Sequence, residues 1–328
     1  MNRRSFGRTG LEVSEVGLGG LFVSSYGAEF VQAERTIHRA LELGVDYVDT
    51  APGYLDSEEV IGRALEGVTS PPVISTKLGG HPQPFRPQDR DCLMRSVEES
   101  LRLLRRDHID ILMIHEPDRP GRYDWWTTWE PLTGPALGLL ADLKAQGVIR
   151  HTGLGGTTAY ELARLIRTGL FDVVLTAYNY SLLWREAEIE VLPAAIAQEM
   201  GIVIGSPLQQ GALASRYDEQ VEHGAPWLSS PRRAQYKALY AFLDEIGLPL
   251  VEVAMRFVIS NPDISCTLSG SRSADEMEQN VRSVEKGPLS ADVIERLDQI
   301  AAMVPFRPFE EPFNLPFARD YKGPGGAQ

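Results

Sequence analysis

The chain has 328 residues, 43% of them apolar and 23% charged, with 45 acidic against 32 basic side chains and a formal charge of −13. Duplex nucleic acid carries about one negative charge per 1.7 Å, so an acidic chain without a basic stripe matches neither it nor an anionic membrane surface. Only Cys92 and Cys266 occur, which excludes a disulfide framework; no signal-peptide pattern follows MNRRSFGRTG, and no run approaches the ~18 apolar residues of a membrane span. A cytoplasmic protein acting on a small molecule is expected.

Short β-branched runs alternate with helical patterns along the chain. Strand Glu15–Leu18 leads to helix Val31–Leu43, strand Tyr47–Asp49 to helix Ser57–Leu65, and strand Val73–Lys77 to helix Asp89–Leu104. Strand Ile109–His115, the apolar run IDILMIH, reads as buried on both faces and is followed by helix Gly134–Ala145. Strand His151–Leu154, helix Ala159–Arg167, strand Val173–Thr176, helix Ala187–Met200 and strand Ile202–Gly205 continue the rhythm. Helices Arg233–Ile246 and Val251–Ser260, strand Ile264–Leu268 and helix Ser273–Ser283 complete it, with an extra helix at Ser290–Met303.

Eight strand–helix units imply a parallel sheet that closes into a (β/α)8 barrel, an α/β fold of one domain over residues 1–328 with an N-terminal hairpin. An open doubly wound sheet is the alternative, but GLGGLF lacks the third glycine of a dinucleotide fingerprint. Long segments follow the fourth strand (Glu116–Glu130) and the seventh (Pro207–Ser230), both at the face that carries barrel active sites. The Pro/Phe-rich tail at 304–328, with Phe306, Phe309, Phe313 and Phe317, is a candidate lid over that face.

The strand ends carry the chemistry. Asp49 ends the second strand with Tyr54 in the loop after it, Lys77 ends the third, and His115 ends the fourth. Buried Lys and Asp are rare unless paired, so Asp49 and Lys77 are expected to face each other. A tyrosine titrates near pH 10, and an adjacent ammonium is expected to lower that value, with a carboxylate holding the lysine in place. A histidine beside it can hydrogen-bond a carbonyl oxygen. No zinc-type Cys/His spacing, HExxH, P-loop or GxSxG elbow occurs, so no metal site is expected.

With GRTGLEVSEVGLGG, GVDYVDTAPGYLDSEEVIGRAL, STKLGG, SLRLLRRDHIDILMIH, GVIRHTGLGG and MEQN, the chain resembles the aldo-keto reductases over nearly its whole length. The resemblance implies a nicotinamide cofactor, NAD(P)H, bound by the barrel without a Rossmann domain. It makes Tyr54 the general acid, Lys77 and Asp49 its tuning pair, and His115 the group that orients the carbonyl. Cofactor contacts carried over are Gly20, Leu21, Asp49, Gly155, Gly156, Ser206, Leu208, Gly270, Ser271, Arg272, Glu276, Gln279 and Asn280. Three departures stand out. Gly155-Gly156 replace a Ser-Asn pair, Leu175 replaces a glutamine, and Gly205 stands where an aromatic ring often stacks on the nicotinamide. At the adenosine end, Glu276 replaces a basic residue and opposes a 2′-phosphate, whereas Arg272 would favour one; the balance tips to NAD over NADP.

All five tryptophans follow strands: Trp125, Trp126 and Trp129 after the fourth, Trp184 after the sixth, and Trp227 after the seventh. Trp125, Trp126 and Trp184, with Tyr54 and His115, are therefore candidates to hold a substrate, their faces suiting a sugar; the other reading is that they pack the loops. The expected function is a dehydrogenase or reductase of a sugar or other polyhydroxylated carbonyl or alcohol. The alternative is a cofactor-binding regulatory homologue of the ion-channel-subunit type. Substrate identity, reaction direction and oligomeric state are not legible.

Overall fold

The computed structural model describes residues 1–225 and 228–305, so Trp227 and the four tail phenylalanines lie outside the described residues. An antiparallel hairpin, β1 (Arg3–Ser5) and β2 (Glu12–Ser14), opens the chain. It is followed by β3 (Val16–Gly19), β4 (Tyr47–Asp49), β5 (Val73–Leu78) and β6 (Ile109–His115). A small hairpin, β7 (Thr128–Trp129) and β8 (Leu132–Thr133), precedes β9 (Ile149–Gly156), β10 (Val173–Ala177), β11 (Gly201–Gly205) and β12 (Cys266–Ser269). The eight strands β3–β6 and β9–β12 are parallel and pair in chain order until β12 closes on β3, the (β/α)8 barrel that the alternation implies.

The helices are α1 (Phe30–Glu42), α2 (Ser57–Ala64), α3 (Arg90–Leu104), α4 (Pro135–Ala145), α5 (Tyr160–Ile166), α6 (Val191–Ala197), α7 (Asp218–His223), α8 (Ser230–Ile246), α9 (Leu250–Ser260), α10 (Ala274–Glu285) and α11 (Ala291–Ala301). No described helix is long and apolar enough to cross a membrane. Several begin on a side chain that satisfies otherwise unpaired N–H groups: Asp89 accepts from Asp91 N and Cys92 N, Ser229 from Arg232 N, and Ser273 from Glu276 N.

Side chains alternate across each strand, and β6 shows why its run is apolar throughout. Leu112 and Ile114 join the layer under the helices, while Ile111 and Met113 join Tyr47, Val173, Leu175, Val203, Cys266 and Leu268 inside the barrel. The hairpin closes the bottom of this interior. Phe6 is fully buried, meets Tyr47 edge-on with centroids 5.4 Å apart, and leaves no room for a side chain at Gly201, where a Cβ would lie 2.6 Å from the Phe6 ring.

Three expectations need correction. The helix expected over Ala187–Met200 is a 3-10 turn, Glu186–Glu188, followed by α6 from Val191. Pro193 has no N–H to give and so fits only the first turn of a helix. The strand expected at His151–Leu154 runs over Ile149–Gly156, because β6 offers a partner along that length, with His115 opposite Gly155. The long segments after β6 and β11 contain the β7–β8 hairpin and α7.

Candidate active site

At the C-terminal mouth of the barrel, Asp49, Lys77 and His115 project inward from β4, β5 and β6, and Tyr54 comes from the loop after β4. Lys77 is 1% exposed and Asp49 2%. Lys77 Nζ donates to Asp49 Oδ1 (2.9 Å), Asp49 Oδ2 (2.8 Å) and the Thr50 carbonyl (2.7 Å), which uses all three ammonium protons. Ser75 Oγ donates to Asp49 Oδ1 at 2.6 Å, and Tyr47 Oη donates to Ser75 Oγ at 2.9 Å, so the carboxylate is held from below as well.

Tyr54 is half-buried beside this pair. Lys77 Nζ lies 4.9 Å from its ring centroid, and the His115 ring meets it edge-on at 5.8 Å. The expected lowering of the tyrosine's pKa is not what this arrangement gives. Desolvation pushes the hydroxyl well above 10, and the Asp49 carboxylate adds to the rise; the three Lys77 protons go to Asp49 and Thr50, so none is donated to the tyrosine oxygen. Tyr54 therefore holds its proton tightly in the resting protein. Burial first, and then the Lys77 charge, keep His115 well below 6.5, a neutral imidazole at pH 7. Its Nδ1 is buried with no hydrogen-bond partner among the described residues.

Residues the sequence reading passed over complete the mouth. Glu116, with left-handed backbone (φ 51°), accepts from Thr157 Oγ1 at 2.8 Å; burial raises its carboxyl above the usual range. Asp118, 2% exposed, accepts from Thr157 N, Thr158 N and Thr158 Oγ1. Tyr178 (φ 67°), whose Oη accepts from Gln210 Nε2 at 2.9 Å, and Arg122 both act electrostatically on Tyr54. Carboxylates in a Glu-Pro-Asp loop resemble ordinary solvated charges, which is why no sequence signal singled them out.

The expected cofactor residues divide into groups. Gly20 sits against α2, its carbonyl accepting from Ser57 Oγ at 2.8 Å with half-buried Leu21 beside it; a Cβ on Gly20 would lie 2.6 Å from that oxygen. At β9, a Cβ on Gly155 would press on Lys77 Cε at 3.2 Å, and one on Gly156 would enter the Asp118 carboxylate. A Cβ on Gly205 would meet Ala177 and Leu175 at 3.2 and 3.3 Å, so these residues leave an apolar floor. Ser206, Gln209 and Gln210 have left-handed backbone (φ 57°, 49° and 54°), and Leu208 O receives Gly211 N in the same tight turn after β11.

After β12, Ser269 and Ser271 share a hydrogen bond of 2.7 Å and Asn280 Nδ2 donates to Ser269 Oγ at 2.8 Å, a buried polar cluster beside Gly270. Arg272 lies over the Phe22 ring at 4.9 Å. Glu276 Oε2 accepts from Arg272 N at 2.8 Å, which gives this glutamate a helix-capping task at α10. Gln279 is separated from Asn280: it is exposed and lines an outer groove between α9 and α10 with Pro249, Glu252 and Lys286.

The tryptophans are corrected more sharply. Trp125, Trp126 and Trp184 are 0%, 6% and 2% exposed, so none offers a ring face at the rim. Trp125 Nε1 donates to the His115 carbonyl and Trp126 Nε1 to the Pro117 carbonyl, both at 2.9 Å. A large ring with one polar tip is well suited to staple a loop to a core, and these do so. Cys92 and Cys266 are buried free thiols, and burial pushes the Cys266 thiol well up.

Comparison with known proteins agrees with this geometry. The Aldo/keto reductase family model matches residues 15–302. L-galactose dehydrogenase of Arabidopsis thaliana is 28% identical over 86% of this chain and 87% of its own length. Pyridoxal 4-dehydrogenase of Microbacterium luteolum is 29% identical over 85% and 92%. The solved structure of aldo-keto reductase AKR11C1 from Bacillus halodurans, in its holo form, superposes with a TM-score of 0.73 at 25% identity, covering 92% of this chain and 96% of that one. The chain belongs to the aldo/keto reductase family and is an oxidoreductase.

Proposed function

We propose that the protein interconverts a carbonyl and an alcohol with a nicotinamide dinucleotide, on a sugar or another polyhydroxylated compound. The observation that carries this reading is the convergence of Tyr54, His115, Lys77 and Asp49 at one mouth of the barrel. The cofactor's residues fit on grounds of their own. An apolar floor (Leu175, Ala177, Gly205) suits a flat ring, and the left-handed turn Ser206–Gly211 and the buried Ser269–Ser271–Asn280 cluster supply polar groups at the same end of the strands.

When bound, the dinucleotide would supply a hydride to the carbonyl carbon or, in the reverse direction, accept one from the alcohol carbon. The chain's own residues do the rest. Neutral His115 donates a hydrogen bond that fixes the carbonyl oxygen, and Tyr54, whose proton is held tightly, gives it up only as negative charge develops on that oxygen. Lys77, fixed by Asp49 and Thr50, presents its charge to the tyrosine ring from 4.9 Å and stabilises the phenolate as it forms.

A hydroxyl-rich substrate is supported by the polar rim of Glu116, Arg122 and Tyr178 and by the sugar dehydrogenase among the relatives. NAD is favoured over NADP because Glu276 stands at the start of α10. The test is the absorbance of the reduced nicotinamide with aldoses, ketoses and simple aldehydes, in both directions. Turnover of sugars with NAD is the expected result; tight dinucleotide binding without turnover of any member would instead favour the regulatory role.

A further inference from the structure

We propose that His81 and Glu58 position the Tyr54–His115 pair through the two-glycine turn after β5, an inference that rests on the proton-donor role given to Tyr54 above. Glu58 stands in the first turn of α2 and is 2% exposed. Both of its oxygens are engaged: Oε1 accepts from Thr76 Oγ1 at 2.5 Å, and Oε2 faces His81 Nε2 at 3.1 Å. A carboxylate is acceptor-only, so His81 Nε2 donates. The other ring nitrogen is buried without a hydrogen-bond partner among the described residues, so the bond to Glu58 is what holds the imidazole. Thr76 precedes Lys77 on β5, and Ser57, just before Glu58, donates its N–H to the Tyr54 carbonyl at 3.0 Å. Glu58 thus joins the strand that carries Lys77, the turn that carries Tyr54 and the loop that carries His81.

Between the end of β5 and His81 run Gly79 and Gly80, at φ 122° and 115°, a backbone conformation that favours glycine. This turn has no side chains, and its backbone lies against both catalytic neighbours. A Cβ on Gly79 would lie 3.4 Å from His115 Cβ and 3.5 Å from the Trp125 ring, and one on Gly80 would lie 2.8 Å from the nitrogen of Gly53, the residue before Tyr54. The two glycines therefore form a wedge seated between the Tyr54 loop and His115. His81 is the anchor of that wedge: its bond to Glu58 ties the outer end to α2, the helix that follows Tyr54. Held there, the wedge sets the 5.8 Å edge-on spacing of the Tyr54 and His115 rings. His81 and Glu58 act by position alone, and a misplacement of about 1 Å between catalytic groups can cost roughly 100-fold in rate.

The full chain with isotope-labelled histidine tests this by NMR. The probe is the His115 Cε1–H resonance, which senses the ring current of Tyr54 and is assigned by its loss in His115→Gln. His81→Ala should shift that resonance. It should also lower kcat about tenfold or more with the best carbonyl of the panel above, at an unchanged NAD dissociation constant. His81→Gln keeps an N–H for Glu58 and should restore both the resonance and the turnover. Gly80→Ala, which drives a Cβ against Gly53 N, should act like His81→Ala and covers the case in which that variant does not fold. A resonance that stays in place in the folded variants overturns the proposal, and so does one that moves while kcat is unchanged. A loss that His81→Gln does not restore overturns it as well, since the histidine would then only pack its loop. If wild type turns over no carbonyl, the carbonyl–alcohol reading fails on its own account, and the resonance still decides whether the wedge places His115 against Tyr54.

Discussion

Lys77 and Asp49 form a pair in which both carboxylate oxygens lie within 2.9 Å of one ammonium and neither side chain reaches solvent. Removing one partner leaves the other charge buried and alone, which costs about 3–5 kcal/mol. Lys77→Met is therefore expected to lower stability by that order in denaturant unfolding as well as turnover, and Asp49→Asn to act more mildly. The double variant should recover part of the stability lost by Lys77→Met; full additivity of the two losses would contradict the coupling.

Tyr54→Phe removes the proton donor and leaves the ring against His115 and Lys77. Turnover should fall at least about 100-fold, the usual scale for a general acid, with the dinucleotide dissociation constant nearly unchanged. Near-normal turnover would remove Tyr54 from the mechanism.

Stability should fall at both ends of the pH range. On the acid side, the unfolded chain protonates His115 near 6.5 while the native site resists, so the unfolded state binds more protons and stability is lost as pH falls below about 6.5. His115→Gln should flatten that limb. On the alkaline side, Tyr47 and Tyr54 are held well above 10, and Tyr180 is pushed up to about 12 by burial. The native chain keeps protons that the unfolded chain releases, so their contribution is complete below pH 10 and is lost as pH rises through the native values. Urea midpoints across the range, read beside tyrosinate absorbance, check both signs.

Cofactor choice pits Glu276 against Arg272. A carboxylate about 4 Å from a phosphate repels it by roughly 1 kcal/mol in water and about 4 at intermediate dielectric. Wild type should prefer NAD, and Glu276→Arg should shift the NADP-to-NAD affinity ratio by about tenfold or more. It should also lose some helix stability, because Glu276 Oε2 no longer holds Arg272 N. If wild type prefers NADP and Arg272→Ala abolishes that preference, Arg272 reads the phosphate instead.

Trp125→Phe deletes the indole N–H that holds the His115 carbonyl while keeping most of the buried ring. The expected cost is about 1–3 kcal/mol of stability from the unsatisfied carbonyl, with KM nearly unchanged. A large rise in KM at unchanged stability would return this tryptophan to the substrate.

The barrel and the catalytic four were legible because each rests on a strong local signal. IDILMIH has the composition of a strand buried on both faces, and Asp49, Lys77 and His115 each end such a run, where an ionisable residue needs a reason. Other features depend on contacts between distant segments. Whether Trp125 faces solvent or the core is decided by the His115 carbonyl ten residues earlier. The Asp118 carboxylate occupies the space of a side chain that Gly156 does not have, thirty-eight residues away. The tyrosine's high pKa was missed because adjacency to a lysine says nothing about where the lysine's protons go.

The Phe6 plug has a consequence for traffic through the site. A polar ladder, Lys77–Asp49–Ser75–Tyr47, descends from the mouth into the barrel and at its foot meets the edge of a fully buried phenyl ring. Below Tyr47 the described neighbours are the apolar Phe6, Val13 and Val203 and the Cys266 thiol, whose hydrogen bond goes to the Thr267 carbonyl and not to the ladder. The ladder is a dead end, so each proton Tyr54 spends must be replaced from the solvent side, along the route the substrate uses to leave.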